Sequence, residues 1–352
     1  MDFFLIAPAI FLAGISIATL YSLDISLFRQ QLIALAVSLL AYLFFLNFDY
    51  KLFGFFTKQI YITMLTSLGI IFLIGIEAKG AVRWIDIFGL RIQFSEILKP
   101  FFVIILAQHL SRNDSHGPEK FIKTLLLLLP VFFLVLRQPD LGNAIIYFVT
   151  AIFMMIVYGF PWRYFLSLGG LIMIPMPIFL SLLKEYQKQR IFSFFNATSD
   201  PFGSSYNSIQ SQISIGSGGF FGKGFGQATQ SILRFLPERH TDFIFATLTE
   251  SLGFIGGVVI LLLFSFLLLR IYKISVNSPD SFGYLITVGM FFLILTHAFM
   301  NIGMNLGILP IVGITLPLLS YGGSSLVTNF VILSILSSIR FDEEKNTLFE
   351  IN

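Results

Sequence analysis

Cysteine is absent from this 352-residue chain, so neither disulfide nor thiol chemistry is open to it. Charge is scarce too: Asp, Glu, Lys and Arg make up 12% of residues against 56% hydrophobic ones. With a mean hydropathy of +0.86, that balance excludes a soluble globular domain. The four histidines, His109, His116, His240 and His297, show no HExxH or paired spacing, so metal-site signals are weak. No Ser-His-Asp order, no nucleophile elbow and no repeat of fixed period is visible. The glycine-rich stretch 216–226 also fails as a phosphate-binding loop. Ser217 stands where the first glycine is needed, and Gly224 follows Lys223 where Ser or Thr is needed. Close backbone approach is the better reading of those glycines.

What the chain does have is apolar runs near 20 residues long, the length that crosses a bilayer core about 30 Å thick. Ten such runs are expected as helices: Phe3–Ser22, Gln31–Asn47, Ile60–Ile76, Ser95–Ser111, Lys123–Leu136, Asn143–Tyr158, Tyr164–Leu183, Phe243–Tyr272, Phe282–Leu306 and Leu326–Arg340. The first lacks a basic leader and a small-residue cleavage site, so it reads as a retained helix. The 43 phenylalanines are read as lipid-facing or packing residues, without chemistry of their own.

Basic residues in the short loops favour both termini on the cytoplasmic side, ten against five. The expected fold is therefore an all-α integral membrane protein with ten transmembrane helices. Residues 1–340 form a single membrane domain and 341–352 a short cytoplasmic tail. The segment Lys184–Asp242, between helices 7 and 8, becomes a large extracytoplasmic cap loop whose positive charge suits an anionic ligand. Gly307–Ser325, with Pro310, Pro317 and the Tyr321-Gly322-Gly323 run, reads as a re-entrant segment before helix 10.

Four polar groups stand out in this apolar setting. Glu238-Arg239-His240-Thr241-Asp242 abuts the apolar stretch Phe243–Leu269. A carboxylate at the mouth of a membrane helix is costly to desolvate, so Asp242 is either a helix cap or functional. Glu96 and Lys99 are three residues apart, which places them on one helix face as an ion pair. They serve either as a structural bridge or as part of a site. Asp140, in Gln138-Pro139-Asp140-Leu141-Gly142, is either the cap of a helix or a carboxylate facing an outer cavity. Arg83, in Lys79-Gly80-Ala81-Val82-Arg83-Trp84, is placed to reach a phosphate.

These segments, in this order, resemble the SEDS family of bacterial membrane glycosyltransferases, the RodA/FtsW/SpoVE group. The resemblance covers nearly the whole chain. It rests on KGAVRW at 79–84, SEILK at 95–99, QPDLG at 138–142, QRI at 189–191, SDPFGSSYNSIQSQISIGSGGFFGKG at 199–224, LPERHTDFIFA at 236–246 and NIGMNLGILPIVGITLPLLSYGGSS at 301–325. Arg239 and Leu309-Pro310-Ile311-Val312-Gly313 look like the RodA branch, which acts in cell elongation. Two positions depart from the family pattern. Phe94 replaces a proline, and Glu250 is followed by Ser251 where a second glutamate is usual.

The resemblance implies a peptidoglycan glycosyltransferase in the bacterial cytoplasmic membrane, polymerising lipid II on the outer face and releasing undecaprenyl pyrophosphate. It makes Asp242 the general base. Arg83, Lys99, Arg190 and Arg239 become candidates for the pyrophosphate. Glu96 holds Lys99, and Glu238 and His240 shape the surroundings of Asp242. The resemblance implies no particular cofactor, with a divalent cation such as Mg²⁺ as an optional supplement. A class B penicillin-binding protein and the elongation machinery are the expected partners, with no nucleic acid. The competing readings are a lipid II flippase, a division-type FtsW polymerase and a non-catalytic scaffold for the penicillin-binding protein.

Overall fold

The computed structural model describes residues 2–78, 81–87, 90–112, 115–173, 188, 194 and 205–350. In chain order the elements begin with α1 (Phe3–Leu23), α2 (Ile25–Leu46), α3 (Tyr50–Phe55) and α4 (Thr57–Ile74). Three strands follow, β1 (Ile76–Ala78), β2 (Ala81–Ile87) and β3 (Leu90–Ile92). Next come α5 (Phe94–Ile97), α6 (Lys99–Ser111), α7 (Pro118–Arg137), α8 (Leu141–Tyr158) and α9 (Trp162–Met173). The chain closes with α10 (Tyr206–Ser217), α11 (Thr229–Ile232), α12 (Ile244–Val276), α13 (Ser281–Asn305) and α14 (Gly323–Glu350).

The protein is mostly helical. Among the described residues, seven helices are long and apolar enough to cross a membrane. They are Phe3–Leu23, Ile25–Leu46, Phe94–Ser111, Leu141–Tyr158, Ile244–Val276, Ser281–Asn305 and Gly323–Asp342. Thr57–Leu73 is a shorter apolar helix. Of the expected run Tyr164–Leu183, only the part through Met173 lies within the described residues. The all-α expectation needs one correction, because β1, β2 and β3 form a small antiparallel sheet in that order. Val82, Trp84, Ile85 and Ile87 suit a pleated strand, and run length alone had carried the preceding helix on to Ile76, where β1 begins.

The chain divides into two compact units. One comprises Met1–Phe44, Gln189–Arg270 and Ile294–Leu333. In it Asp2 caps α1, accepting from the Phe4 and Leu5 amides, and takes a forked pair of hydrogen bonds from Arg270 at 2.6 and 2.9 Å. Its core includes Leu236, Phe243 and Ala246, with Ile215 of α10 and Ile311 packed against them. Between α13 and α14 the backbone is irregular yet buried at Ile314, Leu316, Leu318 and Leu319.

The most unusual local feature of this unit is a break in α12. Gly253 has φ 70° and ψ −166°, a conformation open in practice only to glycine. The freed backbone groups are taken by the glycine-rich loop after α10. Lys223 N and Gly224 N donate to the carbonyls of Glu250 and Ser251, at 3.0 and 2.9 Å. Phe254 N and Ile255 N donate to the carbonyls of Gly219 and Phe220, at 2.9 and 3.3 Å. The close approach expected of these glycines is real: a Cβ on Gly222 would lie 2.2 Å from Ser251 O, and one on Gly253 2.3 Å from Gly222 N.

The other unit comprises Phe45–Lys188, Ile271–Leu293 and Ser334–Asn352. Here α7 packs along α8, α4 packs on α6 and α7, and β2 rests against α4 and α5. Gly159, at φ 99°, ends α8 in the left-handed conformation that glycine adopts without strain. Asp280 at the start of α13 accepts from the buried Tyr50 hydroxyl at 2.8 Å, and Lys51 pairs with Asp342 at 2.6 Å.

Gly253→Ala is expected to cost several kcal/mol, combining backbone strain of about 1–3 kcal/mol with overpacking of similar size. Gly14→Ala in α1, where nothing lies within 4 Å of the new methyl, should be neutral or stabilising. Thermal unfolding of the two variants in detergent gives the comparison, and equal melting temperatures would rule out the tight loop-to-helix fit.

Candidate active site

The segment 238–242 has no regular secondary structure, but its backbone is held at every carbonyl. Glu238 O accepts from the amides of Thr241 and Phe243, each at 3.1 Å. Arg239 O accepts from the Thr247 hydroxyl at 2.9 Å, and His240 O from the Tyr321 amide at 2.8 Å. Thr241 O accepts from the Ser320 hydroxyl at 2.7 Å. Asp242 O accepts from two side-chain amides on α13, those of Asn301 at 3.0 Å and Asn305 at 2.9 Å. Asn305 Oδ1 in turn accepts from Ala246 N at 3.1 Å, in the first turn of α12. One asparagine therefore ties the last residue of the charged run to the helix that follows it.

The side chains on this pinned backbone differ in burial. Asp242, Glu238 and His240 are half-buried, while Arg239 is 9% exposed and its Nε is enclosed without a hydrogen-bond partner. Burial, then the charge of Arg234, lowers the proton affinity of the Arg239 guanidinium, and Asp24 acts in the opposite direction. Glu238 adopts φ 52°, an uncommon conformation for a residue with a side chain, and its Oε2 accepts from the Thr241 hydroxyl at 2.9 Å. The His240 ring meets Tyr321 edge-on at 5.5 Å, and the Tyr321 hydroxyl donates to Gln30 of α2. Phe243, directly after Asp242, is buried in the core with Leu236 and Ala246.

A second polar group lies in the other unit. Asp140 caps α8 through Asn143 N at 3.4 Å, the capping role that its turn sequence allows. Its Oδ2 also accepts from Gln93 at 2.6 Å, Asn143 at 2.8 Å and Ser95 at 3.1 Å. Arg83 NH1 lies 3.3 Å from Asp140 Oδ1, and it remains 21% exposed where Asp140 is only 1% exposed. Glu96 and Lys99 pair at 2.7 Å, as their spacing requires, with Lys99 1% exposed. The Tyr147 hydroxyl donates to Ser95 O at 3.0 Å, joining α8 to this group. Arg83, Glu96, Lys99 and Asp140 are thus gathered in one unit, while Glu238, Arg239, His240 and Asp242 are gathered in the other. Arg190 lies outside the described residues.

Several residues here were missed by the sequence reading. Asn301 and Asn305 are four apart, so one face of α13 carries two amides in an apolar helix, a signal that was open to reading. Gln93, Ser95 and Asn143 carried no comparable sign. Glu250, singled out only as a departure from a family pattern, is fully buried. Its carboxylate meets Lys223 at 3.2 Å, the amides of Gln230 and Ser231 at 2.9 and 3.1 Å, and the Ser231 hydroxyl at 2.8 Å.

A family model described as "Cell cycle protein", that of FtsW, RodA and SpoVE, matches residues 2–345. The chain belongs to the FtsW/RodA/SpoVE family, the SEDS proteins. Within the family it is 36% identical over 319 residues to peptidoglycan glycosyltransferase MrdB of Escherichia coli (strain K12), covering 90% of this chain and 86% of that protein. It is similar, at TM-score 0.84 and 27% identity, to a chain from the structure described as "Structural coordination of polymerization and crosslinking by a peptidoglycan synthase complex". That match covers 97% of this chain and 98% of the other. The rod shape determining protein RodA of Thermus thermophilus gives a TM-score of 0.75 at 27% identity, covering 97% of each chain.

Lys99→Ala, which strands the buried Glu96, is expected to destabilise by about 3–5 kcal/mol, whereas the double variant Glu96→Leu/Lys99→Met recovers much of the loss. Detergent thermal melts of the single and double variants form the cycle, and additive losses would show that the pair does not act as a unit. Asn305→Ala leaves Ala246 N without its acceptor and should cost about 1–3 kcal/mol. Unchanged stability would mean that the amide finds another partner.

Proposed function

We propose that this protein is a peptidoglycan glycosyltransferase that polymerises lipid II into glycan strands for cell elongation, with Asp242 as its general base. The observation that carries the reading is the pinned 238–242 backbone, a short segment that carries both the half-buried Asp242 and the buried Arg239, whose Nε has no hydrogen-bond partner. In the reaction, the 4-hydroxyl oxygen of one glucosamine bonds to the muramyl C1 of the growing chain. The C1–O bond to undecaprenyl pyrophosphate breaks, and its electron pair leaves with the diphosphate. The hydroxyl proton passes to Asp242. Positive charge is needed where the diphosphate develops its own negative charge. Arg239 is suited to that place, with Glu238 and His240 shaping the surroundings of the base.

The second polar group is proposed to engage an anionic part of a lipid-linked substrate through Arg83, which is 21% exposed where Lys99 of the same group is 1% exposed. Glu96, Lys99 and Asp140 are already committed to one another and to their neighbours, so their contribution is to hold the segment in place. Arg190 keeps its proposed role as a further diphosphate ligand. Among the described residues no group of three or more His, Cys, Asp or Glu side chains is arranged to hold a metal ion. Any Mg²⁺ would therefore arrive with the substrate phosphates, and no step above passes through it.

The fuller architecture belongs to the same reading. It has ten spans, both termini cytoplasmic, residues 184–242 as an extracytoplasmic cap, a re-entrant segment before the last span and the active site on the outer face of the bacterial inner membrane. A class B penicillin-binding protein is the proposed partner. The E. coli relative named a peptidoglycan glycosyltransferase and the structural neighbour from a peptidoglycan synthase complex support it.

Polymerisation of lipid II by purified protein tests the reading directly. Asp242→Asn should lower turnover by about 10²–10⁴-fold while leaving the melting temperature near that of the parent. A folded Asp242→Asn protein with parental turnover would remove Asp242 as the base. Absence of glycan from the parent in detergent, with and without the transpeptidase, would favour a flippase instead.

A further inference from the structure

The glycine-rich loop that repairs the α12 break also carries exposed aromatic side chains for which the proposed reaction has no use. Phe220 is 59% and Phe221 79% exposed. The Phe220 ring stacks on Phe254 at 5.8 Å, and Phe221 meets Phe220 edge-on at 5.1 Å. Phe254 begins a stripe of exposed apolar residues that continues along α12 through Leu262, Phe266 and Leu269. That spacing is one face of a helix long and apolar enough to span a membrane, so the two loop phenylalanines extend a lipid-facing surface.

The other side of the loop fixes its depth. Phe225 and Leu252 share an apolar groove of about 510 Å³ with Ile10, Phe11, Gly14 and Ala18 of α1. At 21 residues α1 is about 31 Å long, matching the bilayer core, and Gly14 lies roughly 13 Å of helix rise from its nearer end. A loop that packs there is below the level of water. Irregular backbone survives at such depth only if its polar groups are satisfied within the protein, and this loop exchanges four backbone hydrogen bonds with α12. Its one cation, Lys223, is turned onto Glu250, Ser217 and Thr229.

We propose that the loop Gly218–Gly226 is inserted in the bilayer, with Phe220 and Phe221 as a wedge among the lipid hydrocarbon chains. The wedge anchors the base of the chain segment that leads to Asp242. Its occupant is the hydrocarbon of the surrounding leaflet, because the surface is apolar and continuous with the faces of two spanning helices. The inference takes Gly218–Gly226 out of the extracytoplasmic cap and into the adjoining leaflet, does not depend on the glycosyltransferase chemistry, and is tested without substrate.

The test is tryptophan fluorescence of the full chain in liposomes, with Trp84→Phe and Trp162→Phe as background and Phe221→Trp as reporter. The expected emission is blue-shifted, loses its greater part when the lipids carry bromine along their chains, and ignores aqueous iodide. Quenching by iodide but not by bromine overturns the proposal by placing the loop in water. Protection from both quenchers overturns it too, since protein then covers the ring. Phe220→Trp, read in the same way, serves if the first reporter does not fold.

Discussion

Inside a bilayer, peptide groups have no water to bond, and the irregular parts of this chain are organised around that constraint. Where α12 breaks at Gly253, a glycine-rich loop supplies the missing donors and acceptors. Where the chain enters α12 without helical structure, side chains from α13 and from the stretch before α14 take up the carbonyls instead. The two solutions differ in what they demand. The loop must come close enough for backbone to meet backbone, so side chains are excluded at Gly218, Gly222 and Gly253. The charged run is met by the side chains of Asn301, Asn305, Ser320 and Thr247, so none of its own positions has to be glycine.

Charge follows the same logic. The buried carboxylates of Asp2, Glu96, Asp140 and Glu250 each sit against a cation, and three of the four also accept backbone amides or hydroxyls. Such pairs are weak stabilisers relative to apolar packing, but they are expensive to break singly and so fix the geometry of the groups that hold them. Glu250 illustrates this. By gripping Lys223 and the first turn of α11, it locks the glycine loop and the following segment onto one helix. A second glutamate beside it would need its own partner, and Ser251 instead returns its hydroxyl to Thr247 O.

Seven of the spans and some of the local contacts of the polar residues were legible because their signals are local. Apolar run length marks a span, and the i, i+3 spacing of Glu96 and Lys99 produced the pair seen at 2.7 Å. The Pro139-Asp140-Leu141-Gly142 turn announced a helix cap, and close packing was the surviving reading of the glycines once the phosphate-loop pattern failed. The sheet at 76–92 escaped because its strands are short and border an apolar helix, so hydropathy runs straight into them. Partners distant in sequence escaped for another reason. Ser320 lies 79 residues from Thr241, and Asn143 lies 48 residues from Ser95. Only the fold, which no single residue encodes, sets such distances.

The placement of Asp242 bears on the role proposed for its carboxylate. A base must wait at a fixed place for the hydroxyl it deprotonates, and a misplacement of 1 Å can cost about 100-fold in rate. A residue within a spanning helix would be rigid but sealed from substrate, and one on an ordinary loop would be accessible but mobile. Asp242 lies two residues before α12, with its carbonyl held by two amides of α13 and its side chain half-buried. The left-handed backbone at Glu238, which costs of order 1–3 kcal/mol, turns the chain into this arrangement. The hydrogen bonds at every carbonyl from 238 to 242 hold that strain in place. Rigidity at the Asp242 backbone is therefore borrowed from neighbouring elements, and it does not have to come from a regular helix of its own.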